Sequence, residues 1–212
     1  MSIYLKELKM QTTSGFSANK KAISSEDLRI TKTKKKLFDT FISMLATTSI
    51  ENITVNDLCT MAGVRRATFY KHYTDKIDFC SYVLWRNRDE FDKANRAIVP
   101  EKYKDDFFVS YAVEYIEFLD ANEPIVTNLV RSNLIGVLTH VVLKQHYNEV
   151  LKKISEQAAD GKKLIATPAT VALAVVSSIL GIAFSWMQSG RAKPKEEVIE
   201  EIALVVRRLV ET

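Results

Sequence analysis

The chain has 212 residues, 47% of them hydrophobic and 26% charged, a balance that suits one large soluble domain or two small ones with a real core. Its two cysteines are too few for a disulfide framework, and a net charge of +4 does not by itself announce a nucleic-acid binder. The charge is unevenly placed: residues 20–76 carry eleven Lys and Arg against six Asp and Glu, and the rest carries 19 against 20. Positive charge therefore belongs to the N-terminal third, as expected where one end meets a polyanion. Cys59 and Cys80 sit among apolar neighbours and read as buried reduced thiols. The opening MSIYLKELKMQTTSG has no long apolar core after its first charges, so no secretory leader is read and a cytoplasmic protein is expected.

In chain order, residues 1–24 have weak periodicity and a polar middle, which predicts a mobile or loosely docked arm. A first helix is expected from Ser25, capped by Ser24 or Ser25, with Glu26 and Asp27 in its first turn. Leu37, Phe41 and Leu45 recur every four residues and form its inward face. The run KTKKK at 32–36 lies on the same helix and reads as a solvated face. Two short helices follow. Thr54 is placed to cap VNDLCTMA, with Asp57 three residues on, and Gly63 stops that helix. A longer helix is expected from about Asp75 to Val99, ended by Pro100. Further helices are expected over 101–120, 123–131, 134–159, 168–188 and 195–211, with Asn122, Asn133, Gly161 and Gly190 between them. The fold class is therefore all-α, with a small basic unit at 25–75 and a larger helical body at 76–212.

Residues 169–187, ATVALAVVSSILGIAFSWM, run without a charge for nineteen positions, which reaches the length of a membrane span. Thr170, Ser177, Ser178, Gly181 and Ser185 lower its hydropathy, and a helix apolar on every side also suits the buried centre of a helical assembly. The buried helix is preferred; a membrane-tethered protein is the alternative. His140 and His146 are six apart, about 120° around a helix, so they do not ligate one ion as an i, i+4 pair does. No metal site and no cofactor is expected, with metal or haem sensing as a minor alternative.

Residues 54–73 have the internal logic of a helix-turn-helix. Leu58 and Phe69 supply large apolar anchors, Cys59 and Ala62 allow close crossing, and Gly63 makes the turn. The second helix is left with Arg65, Arg66, Thr68, Tyr70, Lys71 and His72 on faces that need no burial. Arginine forks onto guanine, lysine approaches guanine or phosphate, and threonine touches phosphate or a thymine methyl. Tyrosine hydroxyls bind phosphate oxygens without reading sequence, which is the role expected of Tyr70, while Tyr73 is expected to be more buried. Lys76 opens the next helix, where its charge and the free N–H groups would clamp a second phosphate.

The string ITVNDLCTMAGVRRATFYKHYTDKIDF resembles the DNA-binding motif of the TetR/AcrR transcription regulators. The matching positions are Thr54, Val55, Leu58, Ala62, Gly63, Val64, Thr68, Phe69, Tyr70, His72, Tyr73, Lys76 and Phe79. Many matches at fixed spacing make a specific signal, unlike a lone short motif. Cys59 stands where the family has a small alanine. Arg65 stands where it often has a capping Ser, Thr or Asn, a change expected to cost ~1 kcal/mol at the helix start and to add a charge facing the duplex. Beyond residue 80 the likeness is weaker. The terminal GIAFSWMQSGRAKPKEEVIEEIALVVRRL is similar to a branch of low-GC Gram-positive bacteria that includes activators of dihydroxyacetone kinase operons.

The resemblance implies a homodimer on a pseudo-palindromic double-stranded DNA operator, with two reading helices spaced by the dimer. It implies contacts to DNA from Thr54, Arg65, Arg66, Thr68, Tyr70, Lys71, His72 and Lys76. It also implies pairing of the last two helices with those of a second subunit, with Val175, Ile179, Ile182, Trp186, Val198, Ile202, Val205 and Leu209 as the interface. A small-molecule effector is expected among Tyr82, Trp85, Phe108, Tyr111, Tyr115, His140 and Phe184, relieving repression. An activator, or a constitutive or protein-responsive regulator with a filled body, is the alternative. A DNA-processing enzyme needs clustered acids, and here they are spread over helix surfaces, so no enzyme is expected.

Overall fold

The computed structural model describes residues 25–94 and 98–210. Among these, nine α-helices and one short 3-10 turn are present and no strand. The helices are α1 (Ser25–Leu45), α2 (Val55–Ala62), α3 (Arg66–Tyr70), α4 (Lys76–Ala94), α5 (Phe107–Ala121), α6 (Glu123–Val130), α7 (Ile135–Ala159), α8 (Pro168–Gln188) and α9 (Lys195–Val210). The all-α expectation holds. The chain divides into two compact units, Met1–Lys35 and Lys36–Thr212. In the first, the described residues are the opening turns of α1, where Thr33 Oγ1 donates to the Arg29 carbonyl at 2.9 Å and Leu28 is exposed. The expected arm at 1–24, and the cap from Ser24 or Ser25, lie outside the described residues and side chains.

The second unit has two apolar cores. Leu37, Phe41 and Leu45 are fully buried at their four-residue spacing and form the floor of the first. Over them pack Leu58 and Cys59 of α2, Phe69 of α3, and Phe79, Cys80 and Val83 of α4. Ile125 and Leu129 of α6 and Leu138 of α7 close this core from the other side. The second core joins α5, α8 and α9 to the inner faces of α6 and α7. The change of core falls inside α4, between Leu84 and Phe91, so α4 belongs to both.

Residues 169–187 form the centre of the second core. Val171, Ala172, Val175, Val176, Ile179, Leu180, Ala183, Trp186 and Met187 are all buried along α8. That helix is long and apolar enough to cross a membrane, yet it packs on α7 and α9 of its own chain, the arrangement of a core helix.

Two boundaries differ from expectation. Ile98, Val99 and Pro100 are not helical, so the long helix does not run on to Val99. The expected helix over 101–120 is broken into a 3-10 turn at Glu101–Tyr103 and α5 from Phe107. Asp106 is the cause: its Oδ1 accepts the Val109 N–H at 3.2 Å and restarts the helix as an N-cap. Tyr103 is buried, and its carbonyl accepts the Ser110 hydroxyl at 2.6 Å, which locks the break in place.

Candidate functional site

The helix-turn-helix is fixed by local chemistry. Thr54 is the N-cap of α2: its Oγ1 accepts the Asp57 N–H at 3.1 Å and donates to Asp57 Oδ2 at 2.6 Å. Its hydroxyl is thus engaged in the cap. Gly63 ends α2 at φ 63°, the left-handed region that glycine enters at least cost. Its N–H donates to Thr60 O at 3.2 Å and the Val64 N–H to Cys59 O at 2.9 Å, closing the turn. Beneath, Phe69 meets Tyr73, Phe79 and Tyr70 with ring centroids 5.4–5.5 Å apart, and Tyr73 meets Phe79 at 4.7 Å. These ring contacts, mostly edge-to-face, anchor α3 against α4.

What α3 leaves outside is a set of cations. Arg65, Arg66 and Lys71 are exposed, and no carboxylate ion-pairs with any of them among the described residues. Arg65 is the N-cap of α3 and makes no side-chain cap. Tyr70 is 48% exposed, with the Arg66 guanidinium 5.9 Å from its ring centre, whereas Tyr73 is 3% exposed. Thr68 and His72 are half-buried beside them. Burial pushes the Cys80 thiol up to about 12 and raises that of Cys59, so both stay protonated, as expected of packing residues.

Lys76 does a different job from the expected phosphate clamp. Its Nζ donates to the carbonyls of Ile50 at 2.6 Å, Ile53 at 2.9 Å and Glu51 at 3.4 Å, pinning the α1–α2 loop to the start of α4. The first N–H groups of α4 are occupied too: Asp75 Oδ1 accepts from Ile77 and Asp78, and Asp78 Oδ2 from Thr74. A second clamp on this loop comes from α6. Asn128 Nδ2 donates to Leu45 O at 2.9 Å and Thr48 O at 2.6 Å, and its Oδ1 accepts the Ile50 N–H at 3.2 Å. Sequence reasoning passed over Asn128; the available signal is a lone amide inside the apolar helix EPIVTNLV.

The body holds a pocket whose empty space, open mouth included, is about 590 Å³. Leu84, Asn87 and Arg88 of α4, Tyr115, Phe118 and Leu119 of α5, and four apolar side chains of α6 line it, with Gln145 and His146 of α7 and Phe184 of α8. Of the side chains expected to surround an effector, Tyr115 and Phe184 are there. Tyr82 instead packs on the first core, Phe108 is in the second core, and Trp85 and His140 are exposed. Tyr111 instead lines a narrow crevice with Tyr115 and His146, where its hydroxyl is hydrogen-bonded to His146 Nδ1. Aromatic type alone does not say which way a helix faces. Burial, and then the Arg88 charge, pushes the His146 imidazole down to about 3, so it is neutral.

Arg88 is the charged group of this pocket. Its guanidinium carbon lies 5.6 and 5.5 Å from the Tyr115 and Phe118 ring centres. Its Nε is 2.7 Å from Asp92 Oδ1 and its Nη2 3.8 Å from Glu114 Oε2, while Nη1 is buried with no hydrogen-bond partner.

The side chains expected between subunits lie mostly on the inward face of their own chain. Val175, Ile179, Trp186, Val198 and Ile202 are buried in the second core, and Ile182 and Leu209 pack half-buried against it. Val205 is exposed. The most apolar stripe of an amphipathic helix goes to its own core first. The outward face carries Leu173, Ser177, Gly181 and Ser185 on α8 and Leu204, Val205 and Arg208 on α9.

The turn, its free cations and the helical body behind it define a helix-turn-helix protein of the TetR-family fold. No protein-family model matches the chain. Over 85 residues it is 34% identical to HTH-type transcriptional regulators of Staphylococcus aureus, a match that spans 40% of this chain and only 40% of each relative's length. In fold it is similar to a TetR-family transcriptional regulator of Syntrophomonas wolfei, with a TM-score of 0.65 and 16% identity, over 85% of this chain and 96% of that one. It is also similar to the dihydroxyacetone kinase operon activator DhaS, with a TM-score of 0.55 and 18% identity, over 85% and 98%. The resemblance to TetR-family regulators thus extends from the turn to most of the fold, and the proteins it resembles are transcriptional regulators rather than enzymes.

Proposed function

We propose that the chain is a homodimeric, sequence-specific DNA-binding regulator, a repressor whose operator binding is relieved by a small ligand in the body. The observation that carries the DNA reading is the unpaired trio Arg65, Arg66 and Lys71, held beside exposed Tyr70 on a turn that Phe69 and Gly63 make rigid. In the body many exposed cations meet carboxylates; here they are left for phosphates and base edges. Dimerisation is supported by the outward face of α8 and α9, where Leu204 at 63% and Leu173 at 47% exposure flank small side chains that permit close approach. Relief by a ligand is supported by the walls of the pocket: α4 and α6 line it, both share the first core with the helix-turn-helix, and Asn128 of α6 also holds the α1–α2 loop. A ligand that favours one position of these helices shifts the reading heads by its difference in affinity for the two states.

The fold likeness to DhaS, an operon activator, favours a second reading in which the same apparatus activates. Selection of bound sites from genomic DNA supplies an operator for the test. The Arg66→Ala/Lys71→Ala double variant is expected to bind that operator more weakly, by about 1–3 kcal/mol for each of the two side chains, at unchanged thermal stability. Its salt dependence is expected to be shallower. Stoichiometry by ultracentrifugation is expected to give two chains per site. Retained affinity in the double variant refutes the DNA reading.

A further inference from the structure

The pocket of the body is lined mostly by apolar side chains, including four of α6, with Asn87 and Arg88 of α4, Asn122, and Gln145 and His146 of α7 as its polar members. Asn87 is already used: its Nδ2 donates to Asn122 Oδ1 at 2.9 Å, and Asn122 Nδ2 in turn donates to Phe118 O at 2.8 Å. Arg88 Nη1 is not used, being buried without a hydrogen-bond partner, and a buried donor left unmade is destabilising. A ligand that brings an acceptor to Arg88 satisfies it.

A half-buried arginine in an apolar pocket suggests at first a carboxylate. The surrounding charges argue otherwise. Asp92 is 2.7 Å from Arg88 Nε and Glu114 3.8 Å from its Nη2, so the guanidinium is already balanced by one acid and faces a second. Glu149 adds a third negative charge at longer range, and His146 is neutral and contributes none. Burial raises the Glu114 carboxyl above its ordinary range; Arg88 pulls it down, and Asp92 and Glu149 push it up. A ligand carboxylate entering here loses its water and meets no uncompensated cation. A neutral acceptor loses less and still takes the hydrogen bond.

We propose that the pocket takes an uncharged, largely apolar molecule with a carbonyl-type acceptor at one end, the acceptor on Arg88 Nη1 and the chain along Phe118 and the α6 wall. Asp92 and Glu114 set this preference by keeping Arg88 neutralised. The inference rests on the reading of the body as an effector site and adds the chemical class of the effector.

The test measures binding of methyl octanoate, octanamide and octanoate to the full-length protein by calorimetry at pH 7. The neutral pair is expected to bind at least about tenfold more tightly than the carboxylate. In Asp92→Asn/Glu114→Gln, both acids being partly solvent-exposed, the order is expected to narrow or reverse as Arg88 becomes free to pair with octanoate. In Arg88→Met the neutral pair is expected to lose affinity, with a thermal scan confirming the fold. Tighter binding of octanoate by the wild-type protein overturns the inference and leaves the effector reading standing. An unchanged order in the acid double variant also overturns it. Binding of none of the three, with a folded protein, overturns both.

Discussion

The two cores of this chain treat charge in opposite ways. Around the first, Arg65, Arg66 and Lys71 stand without carboxylate partners at the tip of the turn. Around the second, several cations are matched: Lys102 with Glu200, Lys195 with Glu117 and Asp120, Arg191 with Asp120, and Arg207 with Asp106. The exposed pairs of the body contribute little stability each. Charge left unpaired on a rigid frame is available to a partner, and charge paired across helices serves the frame. The interiors differ as well. The first core is stapled by rings around Phe69, and the second is aliphatic along α8 with polar groups enclosed at Tyr111, His146 and Arg88.

Phe69→Ala is the largest way to break this comparison. It removes a fully buried ring and is expected to cost about 3–5 kcal/mol, with hydrogen exchange rising in α1, α2 and α3 before α8 and α9. Uniform exchange would show the two cores to be one cooperative unit. Asn128→Ala strips three hydrogen bonds from the α1–α2 loop and is expected to cost about 1–3 kcal/mol. It acts on the link between the cores, so it should raise exchange at residues 46–50 without altering the wall of the pocket. A third test concerns pH. His146 takes up a proton in the folded state only near 3, whereas in the unfolded chain it does so near 6.5, so the unfolded state binds more protons between those values. Stability present above pH 6.5 is lost as pH falls toward 3, by at most about 1.4 kcal/mol per pH unit from this group. His146→Gln should flatten that part of a denaturation–pH profile; an unchanged slope would mean the imidazole titrates normally.

Much of the first core was legible because its signals are local. The spacing of Leu37, Phe41 and Leu45, the Thr54 cap and the glycine at 63 each act within a turn or two, and each appears as read. Lys76 and Asn128 were not legible, because their partners lie 23–26 and 78–83 residues away. In the body, composition located α8 correctly but not its orientation. Val175 and Ile179 read as a surface for a second subunit because an apolar stripe looks the same whether it meets its own chain or another. The pocket was half seen: Tyr115 and Phe184 were in the expected set, but Arg88 and His146 acquire meaning only when α4, α5 and α7 are brought together.

The two tryptophans stand in very different surroundings. Trp186 is 6% exposed, its indole Nε1–H donating to Lys193 O at 3.0 Å across the α8–α9 turn. Trp85 is 42% exposed on α4, between Leu84 of the pocket wall and Arg86, whose guanidinium lies 4.8 Å from the Phe38 ring centre. An aqueous indole emits at longer wavelength and yields to a dissolved quencher; an enclosed one does neither. The chain therefore carries an optical gauge on the helix shared by both cores and an internal reference at the far turn, so the movement of α4 can be followed without attaching any label.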